Sequence, residues 1–202
     1  MKLILATTNK GKLKEFKALL QQAKLDLDVE LAPAGFDPEE TGATFTENAL
    51  IKAREAARMT GELSLADDSG LKVEAMDWRP GIYSARYAPG TDGDRRSKLL
   101  QELEAVPEGK RRAAFVCALA LCDGKQDLFV CEIDWWGKIG FSEAGEHGFG
   151  FDPIFIPEGY EITASQMEPS LKNKLSHRGM AFAKLVDFLS NLCKSGSQEA
   201  VG

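Results

Sequence analysis

Short apolar runs alternate with longer segments of helical spacing along most of this chain. Residues Lys2 to Ala6 read as a short buried strand. From Asn9 to about Ala23, Leu13, Phe16 and Leu20 fall on one face of a helix. A second strand is expected over Leu27 to Leu31. Pro33 to Gly42 then reads as a loop. Thr44-Phe45-Thr46-Glu47 is a capping-box pattern that opens a helix reaching Met59, and Ala49, Ala53, Ala56 and Ala57 give that helix a small-residue face. Strands are expected at Leu63 to Ala66 and at Leu71 to Ala75, on either side of Asp67-Asp68-Ser69-Gly70. A loop follows at Pro80 to Gly90, then a helix from Asp94 to Glu104. Apolar runs at Ala113 to Leu121 and Leu128 to Ile133 flank Asp123-Gly124 and read as a hairpin. Phe151 to Ile156 is expected as a strand. The last helix is expected from Arg178 to Cys193, capped by Ser176, with a frayed tail at residues 195–202. Interspersed strands and helices with at least one hairpin make this an α/β chain with a mixed sheet. The hairpin can extend into a second lobe and leave a cleft. No internal repeat or linker divides residues 1–194, which read as one domain.

Composition narrows the function classes. The 202 residues are 44% hydrophobic, enough for a sizeable core, and no apolar run is long enough to span a membrane. Met1 to Ala6 is too short an apolar lead for a signal peptide, so the expectation is a cytoplasmic protein. Cys117, Cys122, Cys131 and Cys193 form no C-x-x-C pair and read as buried small hydrophobes. The net charge of −6 and the lack of a basic stripe weigh against a general nucleic-acid binder. A small anionic ligand would need a local cluster of cations.

Five segments and one lysine carry candidate chemistry, each with a structural alternative. Asp67 and Asp68 sit behind the apolar run Leu63-Ser64-Leu65. Taken alone, Asp67 to Gly70 suits a strand-end turn; the two carboxylates instead suit a metal and a reaction. Thr7 to Lys12 runs from a strand into a helix start, where free N–H groups and Lys10 and Lys12 suit phosphate; it lacks Walker A spacing, and a plain capped helix is the alternative. Glu39-Glu40-Thr41-Gly42 is either a solvated turn or a source of a carboxylate ligand for Mg²⁺. Lys52, on the capped helix, reads by composition as a surface lysine. Gly145 to Pro153 is glycine-rich, and its Phe149 either stacks on a nucleobase or belongs to the core. Leu171 to Gly179 brings Lys172, Lys174, His177 and Arg178 together, as a solvated helix start or a binding wall.

Thr7-Thr8-Asn9-Lys10-Gly11-Lys12, Glu40-Thr41-Gly42 with Phe45 and Glu47-Asn48-Ala49, Ala66 to Leu71, Pro80 to Arg86, Gly148 to Pro153 and Ser176-His177-Arg178 occur in this order. Together they resemble the Ham1/inosine triphosphate pyrophosphatase family, nearest its bacterial branch, from residue 3 to about residue 185. The resemblance implies hydrolysis of the noncanonical purine nucleotides ITP, dITP and XTP to the monophosphate and pyrophosphate with Mg²⁺. It also implies a long mixed sheet flanked by helices, two lobes with an active-site cleft between them, and a homodimer. Carried onto this sequence, Thr7, Thr8, Asn9, Lys10, Gly11, Lys12 and Lys52 would meet phosphate, with Ser69 beside them. Glu40 and Asp68 would hold Mg²⁺, and Asp68 would act as base, with Asp67 in support. Phe149, Gly150, Phe151 and Asp152 would cover the base, with Lys172, His177 and Arg178 completing the purine pocket. His147 stands where many relatives have a small or amide residue, and Phe151 replaces a frequent Tyr; neither touches the implied metal or base. The competing enzyme reading is a Maf-type pyrophosphatase acting on modified pyrimidines. The competing non-enzyme reading is a nucleotide sensor without turnover, against which the intact Asp67-Asp68 pair and Glu40 count.

Overall fold

The computed structural model describes residues 2–7, 13, 16–17, 19–21, 23–25 and 27–199, with side chains described as far as residue 192. Six strands form one sheet in the order β2-β1-β3-β4-β5-β6: β1 Lys2–Leu5, β2 Asp28–Leu31, β3 Leu63–Val73, β4 Arg112–Cys122, β5 Asp127–Ile139 and β6 Phe155–Pro157. β1 pairs parallel with β2 and with β3, while β5 pairs antiparallel with β6, so the sheet is mixed. The helices are α1 Phe45–Thr60, α2 Asp92–Glu102, α3 Pro169–Leu175 and α4 His177–Glu199. The fold class is α/β, with helices flanking the mixed sheet. Among the described residues no helix is long and apolar enough to cross a membrane.

The chain divides into two compact units. One comprises Met1–Asp68, Ala118–Glu132 and Ala181–Gly202; the other comprises Ser69–Cys117 and Ile133–Met180. In the first unit α1 begins as expected. Thr44 accepts a hydrogen bond from the Glu47 N–H, and Glu47 accepts in return from the Thr44 N–H, at 3.1 Å each. Gly61 ends α1 in the left-handed conformation (φ 71°), where a side chain would be strained. The small face of α1 is fully buried at Ala49, Ala53 and Ala56. Leu3, Ile4, Leu5 and Leu65 are buried as well, and Phe16 meets Phe182 edge-on at 5.1 Å. Positions 13, 16–17 and 19–21 are helical, within the helix expected from Asn9 to Ala23.

In the second unit Leu71, Leu99, Phe115, Trp135, Ile139, Ile154, Phe155 and Met167 share a core. Arg111 is buried with them at 1% exposure and donates to the carbonyls of Ile139, Leu103, Val106 and Gly140 at 2.7–3.2 Å. Its guanidinium therefore links the end of β5 to the turn after α2 through carbonyl dipoles, with its Cζ also 4.4 Å from the Phe141 ring centre, and burial pulls its pKa down.

Several boundaries differ from expectation, each for a physical reason. Asp67 to Gly70 makes no turn; β3 runs unbroken from Leu63 to Val73. Turn propensity is a local preference, and a strand lying between β1 and β4 is held by its ladder instead. The strand expected at Phe151 is a 3₁₀ turn over Asp152–Ile154, and only Phe155–Pro157 is strand, because Pro153 has no N–H to give a ladder. α2 starts at Asp92, two residues early, because Thr91 is its cap and Asp94 takes the reciprocal role in the box. α3 was unexpected; Pro169 opens it. Ser176 caps α4, accepting from the Gly179 N–H at 3.2 Å, and α4 continues past the expected end at Cys193 to Glu199. Residues 200–202 of the expected tail lie outside the described residues. Cys117 and Cys122 are buried as expected, but Cys131 is only half-buried; the Cys193 side chain lies outside the described set.

Candidate active site

β3 and α1 build an acidic cluster in the first unit. Asp68 lies on β3, Lys52 on α1, and Glu40 on the loop before α1. Lys52 Nζ stands 2.7 Å from Asp68 Oδ1 and 2.9 Å from Glu40 Oε1. The loop is fixed by a second contact with α1. The Gly42 N–H donates to the Asn48 side-chain oxygen at 2.9 Å, and Asn48 is fully buried. A Cβ on Gly42 would lie 2.7 Å from that same oxygen, so the approach needs glycine. This contact explains why Glu40-Thr41-Gly42 and Glu47-Asn48-Ala49 work as a pair.

The electrostatics show an excess of negative charge. For Asp68 burial is the largest influence and raises its pKa; Lys52 opposes this, while Glu40 and Asp67 add to it. For Lys52 burial pulls downward most strongly, yet the bond and charge of Asp68, the charge of Asp67 and the bond to Glu40 together raise it. Burial raises Asp68, and the carboxylates of Asp68, Asp67 and Glu40 together raise Lys52 against its own burial. The donor set therefore suits a further hard cation. Glu40 and Asp68 already place an oxygen each within 3 Å of one positive centre. Among the described residues no group of three or more His, Cys, Asp or Glu side chains forms a cage for a metal ion. Mg²⁺ asks for less, taking one or two carboxylates and completing its shell with water and phosphate.

Thr7, also expected here, follows β1, is half-buried and donates its N–H to the Leu5 carbonyl at 2.7 Å. Thr8, Asn9, Lys10, Gly11 and Lys12 lie outside the described residues. Lys52 is not the surface lysine its composition suggested; its side chain is 12% exposed.

The second unit contains a cavity of about 190 Å³. Ser69, Phe149, Gly150, Phe151, Asp152, Lys172, His177 and Arg178 all line it, which brings every described base-side and Ser69 expectation together. Its floor is aromatic. His177 stacks on Phe115 at 4.9 Å with the rings 8° from parallel, and Trp135 stacks at 6.3 Å from each, tilted by 22° and 20°. Asp152 receives the Phe149 N–H at 2.8 Å and is paired with Lys172. Gly148 makes this corner possible: at φ 81°, a Cβ would lie 2.2 Å from Asp152 Oδ2. Phe149 is 55% exposed, with Lys172 Nζ and Arg178 Cζ each 5.5 Å from its ring centre. It is not a core residue. Phe151, by contrast, is buried.

Sequence reasoning missed Gly70, Ser84, Ala85, Asp92, Arg95 and Phe115, which complete the lining. Phe115 gives no signal, because an aromatic in an apolar strand reads as core. Asp92 and Arg96 hold both sides of one backbone unit: the Gly150 N–H donates to Asp92 at 2.9 Å, and Arg96 donates to the Gly150 carbonyl at 2.8 Å. Their spacing of four falls on one helix face only because the helix starts at Asp92, two residues before the expected start.

A family model described as the Ham1 family matches residues 3–188. A dITP/XTP pyrophosphatase of Prochlorococcus marinus is 47% identical over 193 residues, covering 96% of each chain. One of Oceanobacillus iheyensis is 42% identical over 197 residues, covering 95% of this chain and 99% of that protein. Among solved structures, a HAM1 protein from Coxiella burnetii aligns with a TM-score of 0.86 at 40% identity, covering 95% of this chain and 99% of the other.

Proposed function

The chain belongs to the Ham1 family, and from that membership we propose that it is a pyrophosphatase acting on noncanonical purine nucleoside triphosphates. ITP, dITP and XTP are its substrates, and the products are the nucleoside monophosphate and pyrophosphate. For dITP and XTP the support is the dITP/XTP pyrophosphatases that are 42–47% identical over nearly the whole chain; ITP follows from the family resemblance. The observation that carries the chemistry is the Asp68–Lys52–Glu40 cluster, where two carboxylates bond the Lys52 ammonium and Asp67 adds its charge.

Glu40 and Asp68 are the proposed holders of Mg²⁺, which when bound would neutralise phosphate charge and orient water. The chain's own residues do the rest. Water attacks at phosphorus, the bridging P–O bond between the α- and β-phosphates breaks, and pyrophosphate leaves. Asp68 accepts the proton of that water; burial has already lifted its basicity toward the working range of a general base. Lys52 holds Asp68 in place and supplies positive charge on the phosphate side, together with the Thr7 to Lys12 segment. The cavity of Phe149 to Asp152, Lys172, His177 and Arg178 takes the purine. Donors facing the 6-keto group leave the 6-amino group of adenine mismatched, and buried polar sites reject such analogues strongly. Further proposals from the resemblance are that residues 1–194 act as one catalytic domain, that two copies pair as a homodimer, and that the protein works in the cytoplasm.

The test is pyrophosphate release with Mg²⁺ from ITP, dITP and XTP beside ATP, GTP and dTTP. Strong preference for the first three is expected. Equal turnover of all six, or orthophosphate as first product, overturns the assignment.

A further inference from the structure

We propose that Arg96, with Asp92 beside it, is a positioning residue that holds Phe149 in the orientation that stacks on the purine. This rests on the function proposed above and gives a role to two residues outside the motifs that carry the resemblance. Phe149 is 55% exposed, and the described contacts of its ring are the cations of Lys172 and Arg178, each 5.5 Å from the ring centre. A ring so exposed takes little of its position from packing, so its backbone must supply it. The Phe149 N–H donates to Asp152 Oδ2 at 2.8 Å, and the Phe149 carbonyl accepts from the Asp152 N–H at 3.2 Å. On the far side of Gly150, Phe151 is buried in the core of the second unit. Gly150 is therefore the joint between the exposed ring and that core. It stands at φ 60°, and glycine is the residue least able to hold one backbone conformation by itself.

The helix α2 removes that freedom. Asp92 Oδ2 accepts from the Gly150 N–H at 2.9 Å, and Arg96 Nη1 donates to the Gly150 carbonyl at 2.8 Å, so one helix takes both polar groups of the joint. Both side chains are fixed in turn. Asp92 Oδ1 accepts from Arg95 Nη1 at 2.7 Å, and Arg96 Nη2 pairs with Glu143 Oε2 at 2.9 Å. The Thr91–Asp94 capping box sets the first turn of α2, from which both residues reach out. The Arg96 side chain is 16% exposed, and Arg96 is not among the described residues that line the cavity. It acts on the purine through Gly150 and Phe149. A ring held in its binding orientation beforehand loses less freedom when the purine arrives, so the clamp strengthens binding and leaves the hydrolytic step to other residues.

The experiment places Arg96→Met in the wild type and in Phe149→Ala, and measures affinity for inosine monophosphate by isothermal titration together with kcat and KM for ITP. In the wild-type background affinity should fall about fivefold, the scale of one hydrogen bond removed, with KM rising and kcat little changed. A residue that acts through Phe149 cannot cost more than loss of that ring. In the Phe149→Ala background Arg96→Met should therefore cost nothing further. An unchanged affinity in the wild-type background, or the same fold loss in both backgrounds, overturns the proposal. If Arg96→Met folds poorly, the same comparison on Asp92→Ala decides, at a position whose side chain is 47% exposed. A loss that disappears without the Phe149 ring supports the proposal; a loss that persists, or no loss, overturns it. A wild type that neither binds inosine monophosphate nor releases pyrophosphate from ITP overturns the proposed function and this inference with it, whereas the outcomes above overturn the inference alone.

Discussion

Lys52 Nζ stands 2.7 Å from Asp68 Oδ1, yet Asp68 holds its proton more tightly than an ordinary aspartate. A lysine so close would normally have the opposite effect. Burial outweighs it, and Glu40 and Asp67 add their charges. The two partners therefore shift in the same direction: the carboxylates hold the Lys52 ammonium charged, while burial and the neighbouring carboxylates disfavour the charge on Asp68.

Asp68→Asn is expected to separate activity from stability. Because the folded-state pKa is raised, the contribution of Asp68 to stability is fully present below the unfolded pKa and is lost as pH rises through the folded one. At neutral pH the ionised carboxylate disfavours the fold. The variant should melt no lower than the wild type at pH 7, with any gain shrinking as pH falls through the raised pKa of the wild-type aspartate. Pyrophosphate release should fall about a thousandfold, within the range for loss of a general base. Near-normal turnover would remove Asp68 as the base, and a melting temperature several degrees lower would refute the electrostatic account.

Phe149→Ala addresses the purine pocket. The ring is 55% exposed and belongs to neither core, so the melting temperature should hardly move. Affinity for inosine monophosphate should fall about tenfold, since one base–aromatic stack is lost. Isothermal titration measures both the affinity and its absence of change, should the ring contribute nothing.

Local signals in the chain were legible and non-local ones were not. Thr44 and Glu47 announce α1 because a capping box is satisfied within four residues. Ser176 announces α4 in the same way. Asp67 to Gly70 misleads because its turn propensity is local while the ladder holding β3 comes from strands far away in sequence. The burial of Lys52 is invisible for the same reason: its partners Glu40 and Asp68 come from two other segments. The base-side residues were legible from the residues only as one of two alternatives each, and the resemblance decided between them. Phe149, Lys172 and Arg178 are otherwise ordinary surface chemistry until Gly148 lets Asp152 and Lys172 close against one another.

Arg111 was not singled out by any motif, and it should matter for the fold of the second unit. Its guanidinium reaches four carbonyls from one buried position, and Arg111→Lys keeps the charge but loses the fork. At least one carbonyl is left without a donor. A loss of about 3 kcal/mol in urea unfolding is expected, with the slope of the transition unchanged. A loss below about 0.5 kcal/mol, the scale of a neutral surface substitution, would mean that water replaces the missing donors.

Gly148 and Gly150 separate backbone strain from collision. Both have positive φ, 81° and 60°, where alanine is strained by about 1–2 kcal/mol. A Cβ at Gly150 meets nothing within 4 Å, whereas one at Gly148 would lie 2.2 Å from Asp152 Oδ2 and 2.8 Å from Lys172 Nζ. Gly150→Ala should therefore lose only the strain, with nucleotide affinity close to wild type. Gly148→Ala should lose the same strain and also force Asp152 away from Lys172 and the Phe149 N–H. Its KM for ITP should rise well beyond that of Gly150→Ala. Equal KM values in the two variants would show that the Asp152–Lys172 corner does not shape the purine pocket.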